Sequence, residues 1–223
     1  MPHSVSRHLR IELENYDQKI RQFVPGYETM LDRAAAMAAH VRPTHVLDLG
    51  SGSGGLSEQL LKHHEIGTVE LWDIDEEMLE RAKTRLSAYG NRTKFSVKSF
   101  HDPFPHCAAI TACISLHHIL DLKQKTLLYA RAFDALDDGG IFVNADTAIP
   151  TSGLEKQRLY RYWADHLVAN GINEDQAWKH FEEWAEEDAY FSLGDELRAL
   201  ENAGFDPHCV WREGPNAVIV GRR

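Results

Sequence analysis

Two stretches of the chain hold residues of the types and spacing that ligand chemistry needs. The first is Asp48-Leu49-Gly50-Ser51-Gly52-Ser53-Gly54, directly behind the apolar run Val46-Leu47. Glycines let a backbone turn sharply and approach a ligand with no Cβ in the way. A helix starting behind such a loop would present backbone N–H groups and its positive end. The second is Asp73, 19 residues beyond Gly54 at the end of the next apolar run. An acid at that place accepts hydrogen bonds from ribose hydroxyls. Together they predict a nucleoside-containing ligand, with Asp48, Gly50, Ser51, Gly52, Gly54 and Asp73 around it. Gly50, Gly52 and Gly55 also satisfy GxGxxG, which leaves a dinucleotide open. Asp48 argues against that reading, because its carboxylate would repel a pyrophosphate but favour a ligand carrying an ammonium and a sulfonium.

A second group could move protons. His117 and His118 follow the fourth apolar run, and Asp146 ends the fifth. An imidazole can accept a proton near neutral pH, so His117 is the first candidate for a base, with Asp146 as another. His63-His64 and Asp73/Asp75 lack the ligand spacing of a zinc site. No metal is expected from these pairs.

The elements that position these residues are legible from periodicity. Leu9, Leu13, Tyr16, Ile20 and Phe23 recur at helical spacing, which predicts a helix over 7–23. Val24-Pro25-Gly26 interrupts it, and a second helix follows at 28–41. Short apolar runs at Val46-Leu47-Asp48-Leu49, 69–72, 95–97, 109–114 and 141–144 then alternate with helical stretches at 56–64, around 79–89 and at 122–136. Asp137-Asp138-Gly139-Gly140 reads as a turn before the fifth run. That alternation predicts an α/β, Rossmann-like, doubly wound and mostly parallel sheet. Residues 151–190 break the pattern with two helices, 153–170 and 174–188, split at Asn170-Gly171. A helix at 193–203 and a hairpin of 209–212 with 217–221 close the chain.

The expected organisation is one domain of 223 residues. An N-terminal helical cover (1–41) precedes a ligand-binding core (42–149). A helical lid inserted after the fifth strand (150–191) and a C-terminal helix and hairpin (192–223) complete it. Tyr160 and Trp163 of the lid, Tyr16 and Tyr27 of the cover, and His118 are the candidates for touching a second substrate. Most lid aromatics are expected to pack the insertion onto the body.

The net charge is −10, from 24 Lys and Arg against 34 Asp and Glu. Nucleic-acid binding would need a basic surplus, so this balance argues for a small-molecule partner. Between Glu155 and Tyr190 nine acids face four bases, which puts half of the excess on the lid. Three scattered cysteines without a CxxC suit a reducing, cytoplasmic setting. No apolar run reaches the ~18 residues of a membrane span.

The chain resembles the class I S-adenosylmethionine-dependent methyltransferases. Val46–Gly54 is similar to their first motif and Leu71-Trp72-Asp73-Ile74-Asp75-Glu76-Glu77-Met78-Leu79 to their second. Leu116-His117-His118-Ile119 is similar to a segment behind their fourth strand, and Asp138-Gly139-Gly140 to their turn before the fifth. The resemblance implies S-adenosylmethionine as donor, S-adenosylhomocysteine as product, and a seven-stranded sheet with a reversed last strand. It also implies that Asp73 binds the ribose, that Ile74 and Met78 flank the adenine, and that Leu116 lines the donor site. An acid commonly stands behind the third strand in the family. Here Lys98-Ser99-Phe100 occupies that region, so Ser99 and Phe100 take its place. The implied activity is methyl transfer to a small molecule by in-line displacement, in a monomer or homodimer. Phe23-Val24-Pro25-Gly26-Tyr27, Ala169-Asn170-Gly171 and the two insertion helices also resemble the branch containing the carboxy-S-adenosylmethionine-dependent tRNA uridine transferases. The 174–188 stretch contains no arginine to grip an extra carboxylate, which favours the ordinary donor. A tRNA-modifying enzyme and a non-catalytic donor-binding scaffold are the alternatives.

Overall fold

The computed structural model describes residues 8, 9 and 12–223. Part of the expected first helix, residues 7, 10 and 11 together with the side chain of Leu13, lies outside the described residues. Seven strands form one sheet in the order β3-β2-β1-β4-β5-β7-β6. Their ranges are β1 His45–Leu49, β2 Thr68–Asp73, β3 Thr93–Val97, β4 Cys107–Cys113, β5 Leu136–Thr147, β6 Asp206–Glu213 and β7 Asn216–Arg222. The first five strands pair in parallel, and β7 runs antiparallel to both β5 and β6. The fold is the expected Rossmann-like α/β sheet with one reversed strand.

Helices α1 (Tyr16–Phe23) and α2 (Tyr27–Ala39) precede the sheet. Gly26, with φ +67, makes the left-handed break between them. Helices α3 (Gly55–Lys62), α4 (Glu76–Arg85) and α5 (Leu122–Ala135) are the crossovers. The insertion is α6 (Gly153–Ala169) and α7 (Glu174–Trp184), followed by α8 (Leu193–Asn202). Two apolar clusters cover the sheet. One joins α1–α4, α6 and α7 to it, and the other joins α5 and α8. Of the insertion aromatics, Trp163, Phe181 and Trp184 are buried and Tyr160 and Tyr190 pack partly against the same core, whereas Tyr162 and Trp178 are exposed. The Trp163 indole N–H donates to the Phe23 carbonyl at 2.6 Å, tying the insertion to α1.

One element differs from expectation. Residues 137–140 do not separate α5 from β5 as a turn. Strand β5 begins at Leu136 opposite Cys107 and resumes at Ile141 opposite Ala109. The three extra residues on the β5 side loop out as a bulge, which Gly139 at φ +77 accommodates. Helix α7 also ends at Trp184 rather than 188, which frees Glu186, Glu187 and Asp188 to leave the helix axis.

The order 3-2-1-4-5 places a topological switch between β1 and β4. Ligands of open α/β sheets bind in the crevice beyond the carboxyl ends of the strands at such a point. The glycine loop after β1 and Cys113–His118 after β4 face each other there.

Candidate functional site

A cleft of about 400 Å³ opens at this crevice, within the size range of small-molecule sites. Asp48, Gly50, Ser51, Gly52, Asp73, Ile74, Ser99 and Phe100 all line it. The glycine loop holds its shape through Gly50, Gly52 and Gly54, with φ of +60, +54 and +82. Gly50 is the most constrained: a Cβ there would lie 2.5 Å from Ser115 Cβ. Ser115 cannot move aside easily, because its hydroxyl donates to the Leu49 carbonyl at 2.9 Å. Gly50→Ala therefore combines a clash with left-handed strain of about 1–3 kcal/mol. A clearly lowered melting temperature is expected, together with weaker nucleoside binding by calorimetry; an unchanged melting temperature would contradict this reading.

Asp73 sits at the carboxyl end of β2 and is buried. Its carboxylate accepts the Gly52 N–H at 2.7 Å and the Asp75 N–H at 2.9 Å. The acid that lines the cleft therefore also fixes the glycine loop. Asp75 in turn caps α4 by accepting from Glu77 and Met78 N–H groups.

Asp48 is 1% exposed and accepts hydrogen bonds from Ser57 at 2.6 Å and Thr111 at 2.8 Å. Burial pushes its carboxyl up from 3.8 to about 6, against the pull of those two bonds. It is neutral below that pH in the empty cleft and charged above it. A cationic ligand binds the carboxylate better than the acid, so its affinity should fall as pH drops through about 6. Calorimetry of S-adenosylmethionine across this range checks the sign, and Asp48→Asn should flatten the dependence.

The N-terminal cover closes on the cleft through ion pairing. Asp17 of α1 accepts from Ser53 at 2.8 Å and pairs with Arg85 of α4. This holds Tyr16 against the cleft. Tyr27 lines the same cleft, its hydroxyl 2.8 Å from where a Gly55 Cβ would stand.

A second cavity of about 70 Å³ shares Tyr16, Ile20, Ile114 and His118 with the cleft. His117, Trp163, Asp188 and Tyr190 also line it. Ile114 has φ +47, strained for a β-branched residue, at the wall between the two spaces. His117 is 5% exposed. Its Nδ1 lies 2.6 Å from Asp146 Oδ1, and its backbone N–H donates to Asp146 Oδ2 at 3.1 Å. Burial opposes a charged His117, but Asp146 and then Asp188 outweigh it and hold the imidazole above its ordinary pKa. Burial also opposes a charged Asp146, yet His117 outweighs it and keeps the carboxyl below the usual range. Asp146 thus fixes the ring and its tautomer, leaving Nε2 toward Asp188 at 3.8 Å.

Four expected residues stand elsewhere. Met78 is fully buried on α4 and reaches Gly52 from behind the loop, so it does not line the cleft. Leu116 points into the opposite apolar cluster, and its neighbours Ser115 and Ile114 line the cleft instead. Gly54 serves as the N-cap of α3 against Ala82 rather than as a cleft wall. Tyr160 stacks behind Trp163 and against Phe181, outside both spaces. The site also includes residues that no motif announces: Asp17, Arg85, Ser115, His8, Asp188 and Tyr190. Among them only Asp188 carries a signal in the sequence, the acidic run Glu186-Glu187-Asp188.

The cleft fits S-adenosylmethionine on several counts. Asp73 ends β2 at the cleft, the exposed Ile74 and the half-buried Phe100 offer apolar surface, and the Asp48 carboxylate lines it as well. The buried Ser51 hydroxyl has no hydrogen-bond partner among the described residues, as expected of a group aimed at a ligand.

The seven-stranded order, the glycine loop after β1 and the acid ending β2 make a Rossmann-like α/β fold that solved methyltransferases share. Residues 46–140 match the family described as a methyltransferase domain. It is 24% identical over 195 residues to the carboxy-S-adenosyl-L-methionine synthase of Nautilia profundicola, across 85% of this chain and 82% of the relative. Among solved structures, human N-acetylserotonin methyltransferase in complex with S-adenosylmethionine aligns with a TM-score of 0.60 at 18% identity, over 86% of this chain and 51% of that one. An O-methyltransferase family 2 protein from Planctomyces limnophilus in complex with apigenin aligns with a TM-score of 0.59 at 20% identity, over 80% and 50%. The chain spans about half the length of these structures, and the likeness to them concerns the fold. No helix among the described residues is long and apolar enough to cross a membrane.

Proposed function

We propose that the protein transfers a methyl group from S-adenosylmethionine to a small, neutral or cationic acceptor held in the smaller cavity. The observation that carries this reading is the buried His117–Asp146 pair at a cavity sharing walls with the donor cleft. The donor supplies an already activated methyl group on a sulfonium, so the protein's part is alignment and dryness. Asp48, Ser51 and Asp73 would hold it. His117 Nε2 takes the proton that an acceptor hydroxyl or amine loses as its bond to the methyl carbon forms. Asp146 stabilises the resulting imidazolium. Trp163 and Tyr190 exclude water, with the 150–191 insertion acting as the lid.

Glu186 and Glu187 of the insertion line the donor cleft. Their charge disfavours a phosphate-rich acceptor, which supports a small molecule over tRNA. The apigenin complex of the Planctomyces protein fits the same direction of reading. A second reading, a carboxylated donor, draws on the name of the Nautilia relative and on Lys98 among the cleft residues.

The test offers methyl-labelled donor with separate pools of small metabolites and of tRNA. Label in the metabolite pool is the expected result. Label in tRNA would overturn the choice of acceptor. Donor binding by calorimetry without transfer to either pool would support a scaffold instead. The mass of any co-purified nucleoside distinguishes the ordinary donor from a carboxylated one.

A further inference from the structure

We propose that His8, His118 and Asp188 form a binding site for a first-row divalent transition cation, most suitably Zn2+. It goes beyond methyl transfer and stands on two short distances, the mutual closeness of the three ligand atoms and the burial of Asp188. Asp188 Oδ1 lies 3.1 Å from His118 Nδ1 and 3.3 Å from His8 Nε2. The three ligand atoms all fall within 4.8 Å of one another. Ligands about 2.0–2.2 Å from a common tetrahedral ion are separated by roughly 3.3–3.6 Å, which these pairs approach.

Burial and the crowding of imidazoles around one carboxylate oxygen mark this cluster. The Asp188 side chain is 4% exposed, and its Oδ1 faces the imidazole nitrogens of His118, His8 and, at 3.8 Å, His117, while His118 Nδ1 also lies 3.4 Å from the Glu187 carbonyl. Asp188 is held from its other side, where Oδ2 accepts from the Tyr190 hydroxyl at 2.7 Å. His8 Nδ1 lies 3.6 Å from Glu187 Oε2, so a carboxylate stands behind the imidazole whose Nε2 faces the cluster. Metal-bound histidines commonly have such a carboxylate partner on the second ring nitrogen.

Two imidazoles and one carboxylate suit zinc, iron, cobalt or nickel better than calcium or magnesium. Three protein ligands with an open fourth position are the pattern of catalytic rather than structural zinc sites. All three residues line the smaller cavity, so an oxygen or nitrogen of a ligand in that cavity can complete the coordination. The ion also links three distant segments: the stretch ahead of α1, the turn after β4 and the end of the insertion.

Cobalt titration of the full chain, after treatment with a chelator, tests the site without reference to activity. One equivalent of Co2+ should give the visible bands of tetrahedral coordination, and Zn2+ should displace it. His118→Ala and Asp188→Asn should each abolish the bands. His8→Ala should abolish them as well, and it lies near the N-terminus ahead of α1, where folding is least affected. Glu187→Gln should weaken binding about 10–100-fold. His64→Ala, at an exposed position, should change nothing. Absence of the bands in the unmodified chain would overturn the proposal. So would bands that survive the His8 and His118 substitutions, which would mark an adventitious site.

Discussion

Asp73→Ala is expected to weaken S-adenosylhomocysteine binding by about 10²–10⁴-fold. Hydrogen bonds to a charged partner contribute roughly 1.5–3 kcal/mol each, and a ribose offers two hydroxyls to this carboxylate. Every 1.4 kcal/mol is about tenfold in affinity. A second loss adds to the first. Asp73 also accepts the Gly52 and Asp75 N–H groups, so its removal loosens the glycine loop that the nucleoside must meet. Asp73→Asn separates the two effects. The amide retains one acceptor oxygen but turns donors toward either the loop or the ribose, so an intermediate loss is expected. Calorimetric titration of the three proteins measures both. Affinity in Asp73→Ala close to that of the unmodified chain would remove Asp73 from the ribose site.

His117→Ala is expected to lower turnover by about 10²–10⁴-fold, the usual contribution of a positioned acid–base group. Donor affinity should be little changed, because His117 lines the smaller cavity and not the donor cleft. The split between turnover and donor binding distinguishes a base from a wall of the donor pocket. Asp146→Asn should follow in the same direction but less severely. It keeps a group within reach of Nδ1 while removing the negative charge that stabilises the imidazolium and selects the tautomer. Single-turnover label transfer on each variant, beside calorimetry with S-adenosylhomocysteine, decides the matter. Turnover that survives His117→Ala would show that the acceptor needs no base at this position.

Most of the sheet is legible in the pattern of residue types alone. Short apolar runs bounded by glycine and alternating with helical periodicity leave few topologies, since crossover connections are right-handed and buried parallel strands are near-continuously apolar. The donor side of the site is legible for the same reason. The glycine loop and Asp73 are local signals, each belonging to one strand end, and both line the cleft. Family resemblance puts Met78 and Leu116 at the donor as well, yet both side chains turn inward. Neighbouring residues on a helix or a tight turn face different directions, and only packing against Gly52 and the α5 cluster decides which.

By itself, then, the sequence determined the architecture and an acidic insertion, and it marked the glycine loop and Asp73 that line the cleft. Those follow from periodicity, glycine placement and charge, which act over a few residues. The tertiary structure alone decided the second half of the site. It gave His117 its partner Asp146 across two strands, and it brought His8, His118 and Asp188 to one point from three distant segments. It also showed that the negative charge of the insertion is not uniform surface: α7 stops early, so Glu186 and Glu187 reach the cleft while Asp188 turns into the histidine cluster. Contacts of that kind depend on where long-range packing closes the chain, and no local pattern of residue types encodes them.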